Sequence, residues 1–220
     1  MAIPDYAKYA KDTLLVVVVR AIEWIEPVIL LPILTKTLGV QHYGIWSQLN
    51  VTTSLLVPVA LLGLGAAMER FLGAQANRHQ IGQSLFSVLT VVSLVSLLFS
   101  ILMFFVAMPL ATIFFGGAEA AKFIKIAAFL VFILSLNSVT SQYFVARRQI
   151  RWYTSFNIMQ IFLELLVLSY LALSGFGLFN IIIAAMAIRA LLFVTGLIVI
   201  KRQIPLVLPG WAILRPYLVF

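Results

Sequence analysis

From residue 13 to residue 46 the chain reads TLLVVVVRAIEWIEPVILLPILTKTLGVQHYGIW. The first part of this stretch is long and apolar enough to cross a bilayer, yet it carries Arg20, Glu23 and Glu26 in its middle, followed by Pro27 and Pro32. A charge at the centre of a spanning helix costs roughly 2.5–3.5 kcal/mol on insertion scales. Three such charges require a protein interior, a wet cavity or partners, so this helix cannot face lipid all round. At about 100° per residue the three positions fall within about 120° of arc. They therefore share one side, which is expected to line a polar pathway through a helical bundle.

The remainder of the chain extends the same pattern. Of 220 residues 63% are hydrophobic and only 10% charged, a composition that excludes a soluble domain and predicts an all-α, polytopic membrane protein. Six spans are expected, at about 13–34, 45–67, 85–108, 123–146, 153–174 and 178–200, forming a single transmembrane domain over residues 1–220. Pro58 interrupts the second span, whose start is polar (Ser47, Gln48, Asn50, Thr52, Thr53, Ser54). Residues 68–84 read as an amphipathic connector and residues 109–121 as a loop. The first twelve residues lack the pattern of a cleaved signal peptide.

The basic residues sort by side. Lys8, Lys11, Arg70, Arg78, Arg147, Arg148, Arg151, Lys201, Arg202 and Arg215 fall on one side, against Lys36, Lys122 and Lys125 on the other. The excess of basic residues in cytoplasmic loops then places both termini in the cytoplasm and the chain in the cytoplasmic membrane. Trp46, Trp152 and Trp211 are expected at the membrane interfaces. The net charge of +8 accordingly points to topology and anionic lipid headgroups, not nucleic acid.

No enzyme signature is present: there is no HExxH, no phosphate-binding glycine loop before Lys-Ser/Thr, and no GxSxG. Cys is absent, which removes disulfides, thiolate metal sites and cysteine nucleophiles. His42 and His79 read as loop residues far apart, so neither a metal site nor a catalytic triad is expected, and no cofactor. The weight falls on ionisable residues inside spans: Arg20, Glu23, Glu26, Glu164 and Arg189. Two accounts stand side by side. One is structural pairing, Arg20 with Glu23 and Arg189 with Glu164. The other is contact with a substrate or coupling ion. Arginines suit a phosphate or pyrophosphate, and Glu23 or Glu26 suits exchange of H⁺ or Na⁺. Asn137, Gln142, Asn157 and Gln160 form an uncharged polar set, either helix-to-helix glue or hydrogen-bonding groups for sugar hydroxyls.

The segment LPILTKTLGVQHYGIW, with Pro32, Leu38, Gly39, Tyr43, Gly44 and Trp46, resembles the polysaccharide biosynthesis flippases (O-antigen and teichoic-acid type) of the superfamily that includes the MATE multidrug exporters. The tail PLVLPGWAILRPYLVF is similar to the family segment leading from the sixth helix towards the seventh. The glycines suit a tight hairpin between spans one and two. The resemblance implies an N-terminal six-helix lobe of a MATE-like transporter that moves a lipid-linked oligosaccharide to the outer leaflet by alternating access. The partners it implies are the glycan substrate, membrane lipids and a second lobe or a copy of the chain. Arg20 and Arg189 would then face the cavity and contact phosphate. A multidrug or cation exporter lobe, or a non-transporting scaffold subunit, are the alternatives.

Overall fold

The computed structural model describes residues 6–205 apart from 74 and 76, together with 207 and 210. Among them it is all-helical: α1 (Tyr6–Ala60), α2 (Leu64–Leu72), α3 (Arg78–Phe105), α4 (Ala107–Phe114), a 3-10 turn (Ala118–Ala120), α5 (Ala121–Ala146), α6 (Ile150–Leu173) and α7 (Leu178–Lys201). Four stretches are long and apolar enough to cross a membrane: Arg78–Phe105, Ala118–Ala146, Ile150–Leu173 and Leu178–Lys201. They correspond to the last four expected spans. The first two lie on the arms of α1, where Arg20, Glu23 and Glu26 break one apolar run and the Ser47–Ser54 polar set breaks the other. Four helices of this kind are therefore found among the described residues, where six were expected.

Gly39 divides α1. Its φ of 80° and ψ of 162° lie outside the helical region, in a conformation open essentially only to glycine. Gly44, by contrast, is helical, so the expected hairpin reduces to a break at one residue. The two arms fold back on each other, since residues 26–30 and 43–50 line the same cavity. Pro27, Pro32 and Pro58 stay inside the helix. Each lacks the N–H that would reach the carbonyl four residues earlier, and for Pro27 that carbonyl belongs to Glu23.

Two expected connections are structured differently. The second expected span stops at Ala60, and α2 begins at Leu64 after Gly63 turns left-handed at φ 71°. Leu64, Ala67, Met68 and Leu72 bury one face of α2, while Glu69 and Arg70 stay exposed. Asn77 caps α3 by accepting a hydrogen bond from the His79 N–H at 2.9 Å, which turns residues 78–84 into helix. In place of the loop at 109–121, α4 runs to Phe114. Pro109 is its third residue, in the first turn where no intrahelical N–H partner is needed. His42 and His79 are consequently exposed helical residues, not loop residues.

The core is in two halves. One apolar cluster joins Leu34, Trp46 and Leu49 to Phe123–Val131 of α5 and to Ile181, Ile182 and Ala185 of α7. The other joins Leu64, Met68, Ile81, Leu85, Val88, Val139, Tyr143, Phe144 and Ile200. Between them lies a buried polar layer comprising Ser96, Ser100, Ser135, Glu164 and Arg189. Trp46 is only 8% exposed and belongs to the core, not to an interface belt. Trp152 is 45% exposed.

The two ends of the bundle differ in charge. At one end Arg147 donates to the carbonyls of Leu72 (3.4 Å) and Gln75 (3.1 Å), and Gln149 donates to Gln203 Oε1 at 2.7 Å. These bonds gather the helix ends that carry Arg70, Arg78, Arg151, Lys201 and Arg202. At the other end His42 meets Phe123 edge-on at 6.0 Å, and Lys122 lies over the same ring at 4.9 Å. Trp211 and Arg215, the tail around them and the side chain of Lys8 lie outside the described residues.

Candidate functional site

On α6 the residues Tyr153, Asn157, Gln160 and Glu164 recur at intervals of four, three and four, so they form one polar stripe about 16 Å long. α1 packs along α6 and presents Arg20, Glu23 and Glu26. Asn137 and Gln142 enter from α5, and Arg189 from α7. All nine residues singled out from the sequence line three cavities that share Gln160 as a wall.

The deepest part of this seam is the Glu164–Arg189 pair. Arg189 Nε lies 2.8 Å from Glu164 Oε1, and Nη2 lies 3.1 Å from Oε2. Glu164 is 3% and Arg189 9% exposed. A third bond falls on the same carboxylate, from Gln160 Nε2 at 3.1 Å. Asn137 Nδ2 donates to the Arg189 backbone carbonyl at 2.8 Å, fixing α5 against α7 at the same height. Burying two charges is tolerable only with this completeness of pairing.

Arg20 and Glu23 also pair, through Nη1 and Oε2 at 2.9 Å, but as neighbours on one helix with side chains 64% and 28% exposed. An exposed pair of this kind is worth about 0–1 kcal/mol in water, so Arg20 keeps its remaining donors for other company.

Two chambers flank the layer. One, of about 270 Å³, lies between the two arms of α1 and is walled by Glu26, Trp46, Asn50, Gln160, Glu164 and Arg189. The other, of about 470 Å³, lies towards the basic end and is walled by Arg20, Glu23, Asn137, Gln142, Asn157 and Gln160. A small void of about 20 Å³ touching Asn137, Asn157 and Gln160 sits between them. Gln160 borders all three.

The two arginines expected to act together are thus separated. Arg20 borders the larger chamber and Arg189 the smaller. Glu164 engages two of the three guanidinium nitrogens of Arg189, so part of its donor capacity is spent on protein. Tyr43, Trp46, Ser47 and Asn50 supply the opposite wall of the smaller chamber, and Glu69, Ser141 and Tyr153 part of the larger. None of these was picked out from the sequence as a site residue. The polar start of the second expected span was the one available signal, for Ser47 and Asn50; what was lacking was the fold-back that brings them opposite Glu26.

An all-helical chain with four membrane-length apolar helices and a polar seam through its core is a multi-pass membrane protein. Residues 33–220 match the model of the polysaccharide biosynthesis protein family, and the chain belongs to that family. No curated protein and no solved structure matches it.

Proposed function

We propose that this chain is a flippase lobe that moves a lipid-linked oligosaccharide or polysaccharide precursor across the cytoplasmic membrane. Transport proceeds by alternating access, without covalent chemistry and without an organic cofactor. The observation that carries this reading is the seam itself. Nine polar or ionisable residues from four helices line contiguous cavities within an otherwise apolar bundle, and family membership supplies the saccharide. A carrier phosphate or pyrophosphate meets Arg20, the more exposed of the two arginines. Glu26, which lines the smaller chamber beside the Glu164–Arg189 pair and forms no ion pair of its own among the described residues, exchanges H⁺ or Na⁺. Both termini lie on the cytoplasmic side, with the basic end of the bundle.

Arg20 at 64% exposure would face hydrocarbon in an isolated lobe. A second six-helix lobe, or a second copy, covers it and closes the cavity. A scaffold role is the rival with an observation in its favour, since both ion pairs account for four of the five buried or membrane-level charges without a ligand. Complementation of a flippase-deficient strain separates the two. Under transport, Arg20→Ala abolishes export at normal expression, and Arg20→Glu with Glu23→Arg does not restore it. Under scaffolding the swap restores function, and that result would overturn the transport reading. A drug-sensitivity screen distinguishes the multidrug-exporter alternative.

A further inference from the structure

The end of the bundle opposite Arg147 carries an exposed apolar surface beside two cations. The uncharged run from Leu85 to Phe105 measures about 31 Å at 1.5 Å per residue, the full thickness of a hydrocarbon core. α4 follows it and so starts at the level of the headgroups. Ala107 and Ala111 of α4 are fully buried, whereas Met108, Ile113 and Phe114 are exposed, as is Phe105 just before them. The Ala111 carbonyl accepts from the N–H groups of Phe115 and Gly117, both at 3.2 Å, which reverses the chain and seats α5 against α4. The reversal brings two lysines to the same level. The Lys125 ammonium lies 5.5 Å from the centre of the Phe104 ring, and that of Lys122 lies 4.9 Å from the centre of the Phe123 ring. From α4 through α5 the charged residues are Glu119, Lys122 and Lys125. Both lysines are exposed, one helical turn apart, and neither forms an ion pair among the described residues.

We infer that α4, with Lys122 and Lys125, is a docking site for an anionic phospholipid of the leaflet at that end. Its acyl chains cover Phe105, Met108, Ile113 and Phe114, and its phosphate meets the two ammonium groups. Bulky apolar side chains at headgroup depth are accommodated by inserting among acyl chains. The lysine stems rest along aromatic rings, which attract the ammonium groups and leave them at the surface for an anion. Charge selects the occupant. Two cations against one carboxylate favour a lipid of net negative charge over a zwitterionic one, whose own cation competes with the lysines for its phosphate. None of these residues lines the three cavities around Gln160, so the site is separate from the seam and does not depend on the cargo.

The chain has no cysteine, so a single fluorophore can be placed without background. Ile113→Cys is labelled with bimane in nanodiscs of phosphatidylcholine that contain a trace of brominated phosphatidylglycerol or, separately, of brominated phosphatidylcholine. Quenching by the brominated phosphatidylglycerol is expected to be stronger by about fivefold, the factor that one lysine near an anionic surface supplies. Lys122→Gln with Lys125→Gln brings the ratio to about one, and Lys122→Arg with Lys125→Arg keeps it. The same label at Leu97→Cys, on the exposed side of mid-α3, gives a ratio near one throughout. Each ratio is read within one variant, so partial loss of folded protein does not move it, and if Ile113→Cys does not fold, Phe114→Cys carries the label. Equal quenching by the two lipids, a preference that survives the double glutamine change, or quenching by aqueous iodide with neither lipid reaching the label would each overturn the inference. So would loss of the preference on adding inorganic phosphate but not sodium chloride of equal ionic strength, which would make the ligand a soluble phosphate. None of these outcomes bears on the proposed transport.

Discussion

Arg189 grips Glu164 twice, at 2.8 and 3.1 Å, from a neighbouring helix. The pair sits in a polar layer that separates the two apolar halves of the core. Its burial and its two-pronged contact between α6 and α7 make it structural in a way that the exposed Arg20–Glu23 pair, within one turn of α1, is not.

Removing one partner of the inner pair leaves an uncompensated buried charge. Arg189→Ala or Glu164→Ala should each lower stability by about 3–5 kcal/mol. Replacing both by apolar residues of similar volume, Arg189→Met with Glu164→Leu, should cost far less than either single change. Thermal unfolding in detergent measures this. A single variant as stable as wild type would show that the pair carries no structural load.

The outer pair predicts the opposite stability outcome. Arg20→Ala and Glu23→Ala should each shift unfolding by less than about 1 kcal/mol, because both side chains retain access to the surroundings. A large loss on Arg20→Ala in the same assay would mean that Arg20 is held by something other than Glu23.

Gly39 is constrained by its backbone, not by crowding, since nothing lies within 4 Å of a methyl placed there. Gly39→Ala should cost about 1–3 kcal/mol, the scale of forcing a side chain into a glycine-only region. Gly44→Ala, helical and equally uncrowded, should be neutral or mildly stabilising. Similar unfolding temperatures for the two variants would contradict the break at Gly39.

Gly196 of α7 faces Thr140 of α5, whose Cγ2 would lie 2.7 Å from a new methyl. Gly196→Ala should therefore destabilise by about 1–3 kcal/mol through overpacking. Thr140→Ser removes that methyl and keeps the hydroxyl that donates to the Leu136 carbonyl. The double variant should recover to wild-type stability or slightly above, helped by the better helix propensity of alanine. Lack of recovery in a double-mutant cycle would locate the α5–α7 contact elsewhere.

Much of the chain was legible before any fold was known. Runs such as Leu178–Lys201 announce membrane-length helices because hydrophobicity and length are local properties. The stripe Asn157–Gln160–Glu164 follows from helical periodicity alone. Even the pairing of Arg20 with Glu23 is a matter of one helical turn. The breaks were harder. Asn77 capping α3, and Pro109 sitting in the first turn of α4 where no intrahelical N–H is missed, turned apparent loops into helix, because a polar or proline residue opens a helix as readily as it ends one.

The sequence by itself determined an oily, all-helical chain with charges and amides on defined helix faces, because composition and spacing act within a few turns. Tertiary structure alone decided that Arg189 is engaged by Glu164 while Arg20 is not so held. It also decided that Trp46 turns inward opposite Glu26, and that Asn137 of α5 donates its NH₂ to the Arg189 carbonyl of α7. Two of those outcomes depend on hydrogen bonds between residues 25 and 52 positions apart, and a hydrogen-bond donor has no preferred partner until folding brings an acceptor within about 3 Å.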